Sequence, residues 1–98
     1  MVRTSGAHLQ GHVNATYEEL VRVFGEPNRE SDGYKTDAEW AFTITRDGRQ
    51  VATIYNYKNG INYMGSQGIP VRKITRWNIG GFTQLAVKWV EASLGRGV

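Results

Sequence analysis

The chain has 98 residues, a length that favours a single domain with its own hydrophobic core. It contains no cysteine, which excludes disulfides and thiolate metal sites and suits a reducing compartment. Because the sequence shows neither a signal sequence nor an apolar run of membrane-spanning length, we expect a soluble, cytoplasmic protein that does not enter a membrane.

Positive charge is concentrated in the second half of the chain. The formal net charge is +3, yet residues 58–98 carry a single acid, Glu91, among several lysines and arginines. Such a basic half can attract nucleic acid or an acidic protein surface. Scattered surface cations also keep small domains soluble without any partner, so composition leaves both interpretations open.

The first structural signal is a strand. Residues 1–6 are predicted to form a flexible tail before a single domain over residues 7–95. Apolar and polar residues alternate from Ala7 to Ala15, which predicts a strand in which Gly11 marks a bulge or a close neighbour.

A short amphipathic helix is predicted next. The segment Thr16–Glu19 matches a capping box, which predicts a helix start after Thr16, and Gly25 predicts the helix end. Apolar residues recur between them at helical spacing, which predicts one buried stripe. The stripe consists of Tyr17, Leu20, Val21 and Phe24.

A β-hairpin around Asp47-Gly48 is the clearest pattern in the sequence. Apart from Thr36, apolar residues occupy every second position from Tyr34 to Ile44, which predicts a half-buried strand. Asp-Gly is typical of a two-residue type I′ turn. Such a turn fixes a register with these residues opposite each other: Ile44 and Val51, Phe42 and Thr53, Trp40 and Tyr55.

The remaining sequence predicts a further strand and a second helix. Alternation over Arg72–Ile79 indicates the strand, Gly80-Gly81 ends it, and helical spacing follows over Phe82–Leu94. Asn59-Gly60 predicts a turn into a short extra strand at Ile61–Met64, unless that segment is a loop. The expected fold class is α+β: an antiparallel sheet of about four to five strands with two helices packed on one face, in the order β-α-β-β-(β)-β-α.

Residue types that carry chemistry form no recognisable catalytic or metal site. On a strand, His8 and His12 would be separated by roughly 13 Å, too far to share one ion. Asp37 and Glu39 share a strand face, as catalytic carboxylate pairs do, but the polar face of an ordinary strand is the favoured interpretation. We therefore predict no catalytic residue, no metal and no cofactor.

Gly80-Gly81, placed before the second predicted helix, is a candidate anion site. Backbone amides at a helix N-terminus bind anions, and glycines permit close approach. Arg72, Lys73 and Arg76 lie just upstream and would add positive charge. The alternative interpretation is a tight turn between strand and helix.

The connection Lys58–Ile69 is the main candidate for a binding surface. Tyrosine, asparagine, serine and glycine are typical of adaptable recognition loops, although a mobile connector has a similar composition. Together with the basic strand that follows, this segment predicts a binding surface made of Lys58, Asn59, Asn62, Tyr63, Met64, Gln67, Arg72, Lys73 and Arg76.

Four segments carry a family resemblance: Thr16-Tyr-Glu-Glu-Leu-Val-Arg-Val-Phe-Gly-Glu-Pro, Thr36-Asp-Ala-Glu-Trp, Val51-Ala-Thr-Ile-Tyr-Asn-Tyr-Lys and Ile74-Thr-Arg-Trp-Asn-Ile-Gly-Gly. Over residues 9–94 the chain resembles a family of small uncharacterised bacteriophage proteins. In shape, the helix closed by Gly-x-Pro and followed by a meander is similar to the beta-lactamase-inhibitor/SmpA-like half-domain. The first resemblance implies inhibition or takeover of a host macromolecule, of the anti-defence type, and brings no catalytic residues.

These observations predict a small non-enzymatic binding or inhibitor module that engages a host protein, such as defence or nucleic-acid-processing machinery. The alternative is a nucleic-acid or nucleotide-binding domain that uses the basic C-terminal half and stacks Tyr63 on a base. The sequence leaves the partner's identity and the oligomeric state open.

Overall fold

Over residues 2–30 and 33–96, which the computed structural model describes, the chain forms an α+β fold around a four-stranded antiparallel sheet, as predicted. The strands lie in the order β1-β4-β3-β2. In chain order the elements are β1 (His8–Asn14), α1 (Tyr17–Phe24), β2 (Glu39–Thr43), β3 (Val51–Tyr55), α2 (Ile61–Met64), β4 (Arg76–Gly81) and α3 (Leu85–Ser93), with 3-10 turns at Gly65–Gln67 and Val71–Lys73.

The two longer helices, α1 and α3, pack on the same face of the sheet. The ring centroid of Tyr17 in α1 lies 5.9 Å from that of Trp40 in β2 and 6.4 Å from that of Trp77 in β4. At the other end of α1, the centroids of Phe24 and Trp89 of α3 are 5.6 Å apart. Trp40 and Trp77 are both fully buried, so an aromatic core joins the sheet to α1 and α3.

The same two tryptophans fix the ends of α1. Trp77 Nε1 donates to the carbonyl oxygen of Ala15, just before the helix, at 3.0 Å. Trp40 Nε1 donates to the carbonyl oxygen of Gly25, at the helix end, at 2.8 Å. Buried indole N–H groups need acceptors, and here the free carbonyls that flank a short helix supply them.

The predicted start and end of α1 are confirmed, although only the Thr16 half of the capping box forms. Thr16 Oγ1 accepts a hydrogen bond from the Glu19 amide at 3.0 Å, and Gly25 closes the helix with a φ of +83°. The Glu19 carboxylate pairs with the Arg96 guanidinium at 3.1 Å, which ties the end of the chain to the helix start.

The predicted hairpin register is wrong by one residue. Trp40 lies opposite Ile54, and not opposite Tyr55. A type I′ turn needs a positive φ at both central residues, but in the Asp47-Gly48 pair only Gly48 has one. The loop is therefore longer, and the Ile44 amide bonds to the carbonyl oxygen of Gln50. Because side chains alternate, the slip turns Ile54 toward the helices and Tyr55 to the opposite face.

The predicted extra strand at Ile61–Met64 is a single helical turn, α2. The following strand, predicted over Arg72–Ile79, begins only at Arg76, since Val71–Lys73 forms a 3-10 turn. Ile74, which the alternation placed on the polar face, is 1% exposed because it lies outside the strand and joins the core.

The start of the chain contacts the rest of the domain. Of the predicted tail, residue 1 lies outside the described residues, whereas the Thr4 hydroxyl accepts a hydrogen bond from Arg29 at 2.8 Å. The prediction for Gly11 is confirmed on both counts. A bulge precedes it, and a Cβ at this position would lie 3.1 Å from Val87 Cγ2 of α3.

Side chains cap both edge strands of the sheet. On β2, the Asn28 side chain behaves like a neighbouring strand, donating to the Ala41 carbonyl at 3.1 Å and accepting from its amide at 2.8 Å. On β1, Gln84 donates to the carbonyl oxygen of Gln10 at 2.9 Å, and Arg96 donates to the carbonyl oxygen of Asn14 at the end of the strand. These contacts occupy backbone groups that an exposed edge would offer to another chain.

Candidate binding surface

A buried hydrogen-bond network holds the segment between β3 and β4. At its centre is Asn56, which is 1% exposed. Its Oδ1 accepts from the backbone amides of Asp37 and Ala38 at 2.7 and 3.1 Å. Its Nδ2 donates to Asp37 Oδ1 at 2.8 Å and to Asn59 Oδ1 at 3.1 Å. Every hydrogen-bonding position of the Asn56 side chain is therefore used.

The network extends into α2 through Asn62. The backbone amide of Asn62 donates to Asp37 Oδ2 at 3.2 Å, and the side-chain Nδ2 of Asn62 donates to the Thr36 carbonyl at 2.9 Å. Gly60 lies so close to Asp37 that a Cβ would overlap the carboxylate, and Gly68 packs equally tightly on the backbone of Gly60. The segment is a packed structure built around a buried polar centre, not an open connector.

This packed segment exposes most of the large hydrophobic side chains on the described surface. Nine such residues are exposed over residues 2–30 and 33–96; five of them lie in this segment, and a sixth, Tyr34, contacts it. The ring centroids of Tyr34 and Tyr63 lie 5.0 Å apart. We call the tyrosine patch the surface formed by Tyr34, Tyr57, Lys58, Ile61, Tyr63, Met64 and Ile69.

Lys58 lies in the middle of the tyrosine patch. Its Nζ is 5.2 Å from the ring centroid of Tyr57 and 5.4 Å from that of Tyr63, within the range of cation–π attraction. Its φ is +61°, and among the described residues it is the only non-glycine residue with a positive φ. Its amide donates to the Lys35 carbonyl at 2.7 Å. A costly backbone conformation held at an exposed position often accompanies function.

The structure brings only part of the predicted binding surface together. Lys58, Tyr63 and Met64 belong to the tyrosine patch. The Asn59 side chain accepts a hydrogen bond from Asn56, and the Asn62 side chain donates to the Thr36 carbonyl. They are structural residues of the site, because their side chains are engaged in the network.

The other predicted residues, Gln67, Arg72, Lys73 and Arg76, are not among the members of the tyrosine patch. Gln67 is exposed in the first 3-10 turn, and Arg72 and Lys73 are exposed in the second. Arg72 lines a groove along α1 that also includes Glu26. Arg76 is exposed on β4. Arg72 and Lys73 thus belong to the turn beside α1, and Arg76 belongs to the sheet.

Sequence reasoning missed four members of the tyrosine patch: Tyr34, Tyr57, Ile61 and Ile69. The alternation predicts Tyr34 as an inward strand residue, but its side chain is 54% exposed because β2 begins only at Glu39. For Tyr57, the signal was its position directly before the turn sequence Lys58-Asn59-Gly60, which ends a strand.

Gly80 and Gly81 lie inside β4, which corrects the predicted anion site at a helix start. The helix α3 begins only at Leu85. A Cβ at Gly80 would lie 2.5 Å from Thr53 Oγ1, and one at Gly81 would lie 2.5 Å from the Ala86 Cβ. Gly80 allows β4 to pack closely against Thr53 of β3, and Gly81 allows α3 to approach the sheet; neither glycine lies at a helix N-terminus.

The sheet face opposite the helices carries a shallow polar cleft of about 250 Å³. Its carboxylate, Glu39, pairs with Arg29 at 3.7 Å. Burial, and to a smaller extent the charge of Glu39, raises the pKa of the Tyr55 phenol above its ordinary value. With its charge already balanced, the cleft offers hydrogen bonding and little electrostatic attraction. It is lined by Thr4, Ala7, His8, Thr36, Glu39, Thr53, Tyr55, Tyr57 and Gly80.

The two carboxylates considered as a catalytic pair have separate partners. The Asp37 oxygens accept from Asn56 and Asn62, whereas Glu39 pairs with Arg29. Over the described residues, no group of three or more His, Cys, Asp or Glu side chains is placed to hold a metal ion.

None of the helices in the described part of the chain is long and apolar enough to cross a bilayer. Comparison of the chain with protein-family models, curated proteins and solved structures finds no match. The resemblance to bacteriophage proteins therefore stays a prediction.

Proposed function

We propose that the chain is a non-enzymatic binding module that engages another protein through the tyrosine patch. One observation carries the proposal: exposed aromatic and aliphatic side chains are concentrated on a segment whose backbone is fixed by the buried Asn56 network. Tyrosines supply large contact area at low conformational cost and are enriched among the residues that dominate binding energy. A segment that is already ordered loses less entropy on binding.

The sheet edges favour this surface over strand addition as the mode of binding. Asn28 occupies the backbone of Ala41 on one edge, and Gln84 occupies that of Gln10 on the other. A partner strand would have to displace these side chains before forming its own ladder. The tyrosine patch requires no such displacement.

The resemblance to small bacteriophage proteins favours a host protein as the partner and inhibition or redirection as the outcome. In this proposal the exposed cations Arg72, Lys73 and Arg76 act at a distance. They accelerate the approach of an acidic partner, which affects the association rate more than the lifetime of the complex. The cytoplasm, where such a host partner is encountered, is the proposed location.

The proposal is tested by affinity capture from nuclease-treated lysate of a candidate host. Wild type is compared with Tyr63→Ala, which removes a patch ring, and with Leu85→Ala, which shortens an exposed side chain on α3. We expect one protein to be retained by wild type and by the Leu85 variant and lost from the Tyr63 variant. Equal recovery by all three proteins would remove the tyrosine patch from the function.

A nucleic-acid-binding domain is the second candidate, because Lys58 held between two tyrosines combines a cation with stacking surfaces. In that case, affinity for a single-stranded oligonucleotide should fall linearly with salt on logarithmic axes. Replacing Arg72, Lys73 and Arg76 by glutamine would then flatten the slope by about two to three units. We expect weak, unselective binding and no such change.

A further inference from the structure

The charge of Lys58 is held by aromatic rings and not by an acid. The three ion pairs found over the described residues use Arg29, Arg49 and Arg96. The Lys58 ammonium instead lies over the rings of Tyr57 and Tyr63. It is therefore a positive charge that the described domain leaves without a carboxylate, set in an apolar surround.

The position of this ammonium is defined by the backbone beneath it. Lys58 adopts a left-handed conformation, and its amide is bonded to the Lys35 carbonyl at 2.7 Å. Asn59, the next residue, is tied to the buried Asn56 amide. The Lys58 side chain therefore starts from a fixed backbone position, and the rings of Tyr57 and Tyr63 limit where its ammonium group lies. A charge with a fixed place selects partners by geometry as well as by attraction.

Resting on the proposed function, we infer that the partner presents an acidic–apolar peptide segment to the tyrosine patch. An Asp or Glu carboxylate of that segment pairs with the Lys58 ammonium, and neighbouring aromatic or aliphatic side chains cover Tyr34, Tyr63 and Met64. Charge complementarity supports an acidic occupant, since residues 58–98 contain one acid, Glu91, among several cations. An opposite charge brought into an apolar surround interacts more strongly than one in open water.

The apolar rim favours a peptide over a nucleic acid. Ile61, Met64 and Ile69 are each at least 42% exposed and add aliphatic surface to the same segment. A phosphodiester backbone would satisfy Lys58 but would leave these aliphatic side chains facing water. A peptide segment with alternating acidic and apolar residues contacts both kinds of surface.

The test is selection from a random library of peptides of about 12 residues on the immobilised protein. Parallel selections use Lys58→Gln and the matched control Lys88→Gln, which removes an exposed lysine of α3. We expect wild type and the Lys88 variant to enrich peptides that carry Asp or Glu beside aromatic or aliphatic residues. A synthetic peptide from that pool should bind Lys58→Gln about tenfold more weakly, and Lys58→Arg should recover part of the loss.

A second measurement assigns the contact. Changing the acid of the selected peptide to its amide should weaken binding to wild type and have little further effect on Lys58→Gln, because the pair is already broken. Thermal melting of each variant checks that the fold is intact. We expect the effects of the peptide change and of Lys58→Gln on binding affinity to depend on each other. Independent effects would overturn the pairing of Lys58 with the peptide acid.

The remaining outcomes separate this inference from the proposed function. Enriched peptides that lack acids but still require Tyr63 would overturn the acidic partner and keep the tyrosine patch as a protein-binding surface. Pools that are unchanged by Tyr63→Ala, or no enrichment at all, would overturn both. Binding of a thymidine oligonucleotide that is tighter than that of any selected peptide and depends on Lys58 would also overturn the inference.

Discussion

Asn56→Ala tests whether the buried network supports the tyrosine patch. The change removes four hydrogen bonds and leaves the Asp37 and Ala38 amides without their acceptor in a site that is 1% exposed. A net contribution of about 1 kcal/mol for each bond, reduced where water reaches the freed groups, gives a loss of about 3 kcal/mol. For a domain of this size that lowers Tm by about 15 °C.

The measurement is chemical denaturation followed by circular dichroism, together with amide chemical shifts of residues 57–69. We expect lower stability and shift changes concentrated in that segment. The control is Asn14→Ala, since Asn14 is exposed and it is its carbonyl, not its side chain, that bonds to Arg96. A variant within 1 kcal/mol of wild type, with unchanged shifts, would refute the role assigned to the network.

Asn56→Asp probes the same site by pH. It keeps the acceptor for the two amides but places a second carboxylate within hydrogen-bond distance of Asp37, so that two like charges meet at neutral pH. Protonation of the introduced acid at low pH removes the repulsion, whereas at neutral pH folding has to bring two negative charges together. We therefore expect this variant to lose stability relative to wild type on going from acidic to neutral pH.

Three further predictions concern single positions. Trp40→Ala should lower the free energy of unfolding by about 3–5 kcal/mol, measured by denaturant titration, because its buried ring joins β2 to α1. Thr16→Ala should cost about 1 kcal/mol in the same assay, and wild-type stability would contradict the N-cap. Lys58→Gly should raise the free energy of unfolding by up to about 1 kcal/mol, because glycine adopts the positive φ without strain, and it should weaken peptide binding. A loss of both stability and peptide binding would contradict a functional origin of the strain.

Features decided by neighbouring residues were predicted from the sequence. The N-cap at Thr16, the helix end at Gly25 and the buried stripe between them depend on interactions within a few residues, and all are confirmed. The alternation around Trp40 likewise predicts its burial, since a large ring in a period-2 pattern faces the core. The α+β class follows from the same local patterns.

The hairpin register depended on one dihedral angle that the sequence does not fix. Asp47-Gly48 is compatible with several turns, and the choice among them decides which face of β3 meets the helices. Apolar residues occupy both faces of β3, so hydrophobic pattern could not choose between Ile54 and Tyr55. Ile54 faces the helices because it packs against Trp40 and Ile79 in the core.

The candidate site shows the same division between local and tertiary information. The composition of Lys58–Ile69 indicated a recognition segment, and Lys58, Tyr63 and Met64 were named from it. The ring contact of Tyr34 with Tyr63, the hydrogen bond of Asn62 to Thr36 and the close approach of Gly80 to Thr53 join residues far apart in the chain. No local pattern records such contacts, because a tyrosine or an asparagine has the same propensities whether its partner is water or a buried carboxylate. Only the folded sheet, by bringing Asp37 beside Asn56, decided which polar residues hold the surface and which aromatic residues form it.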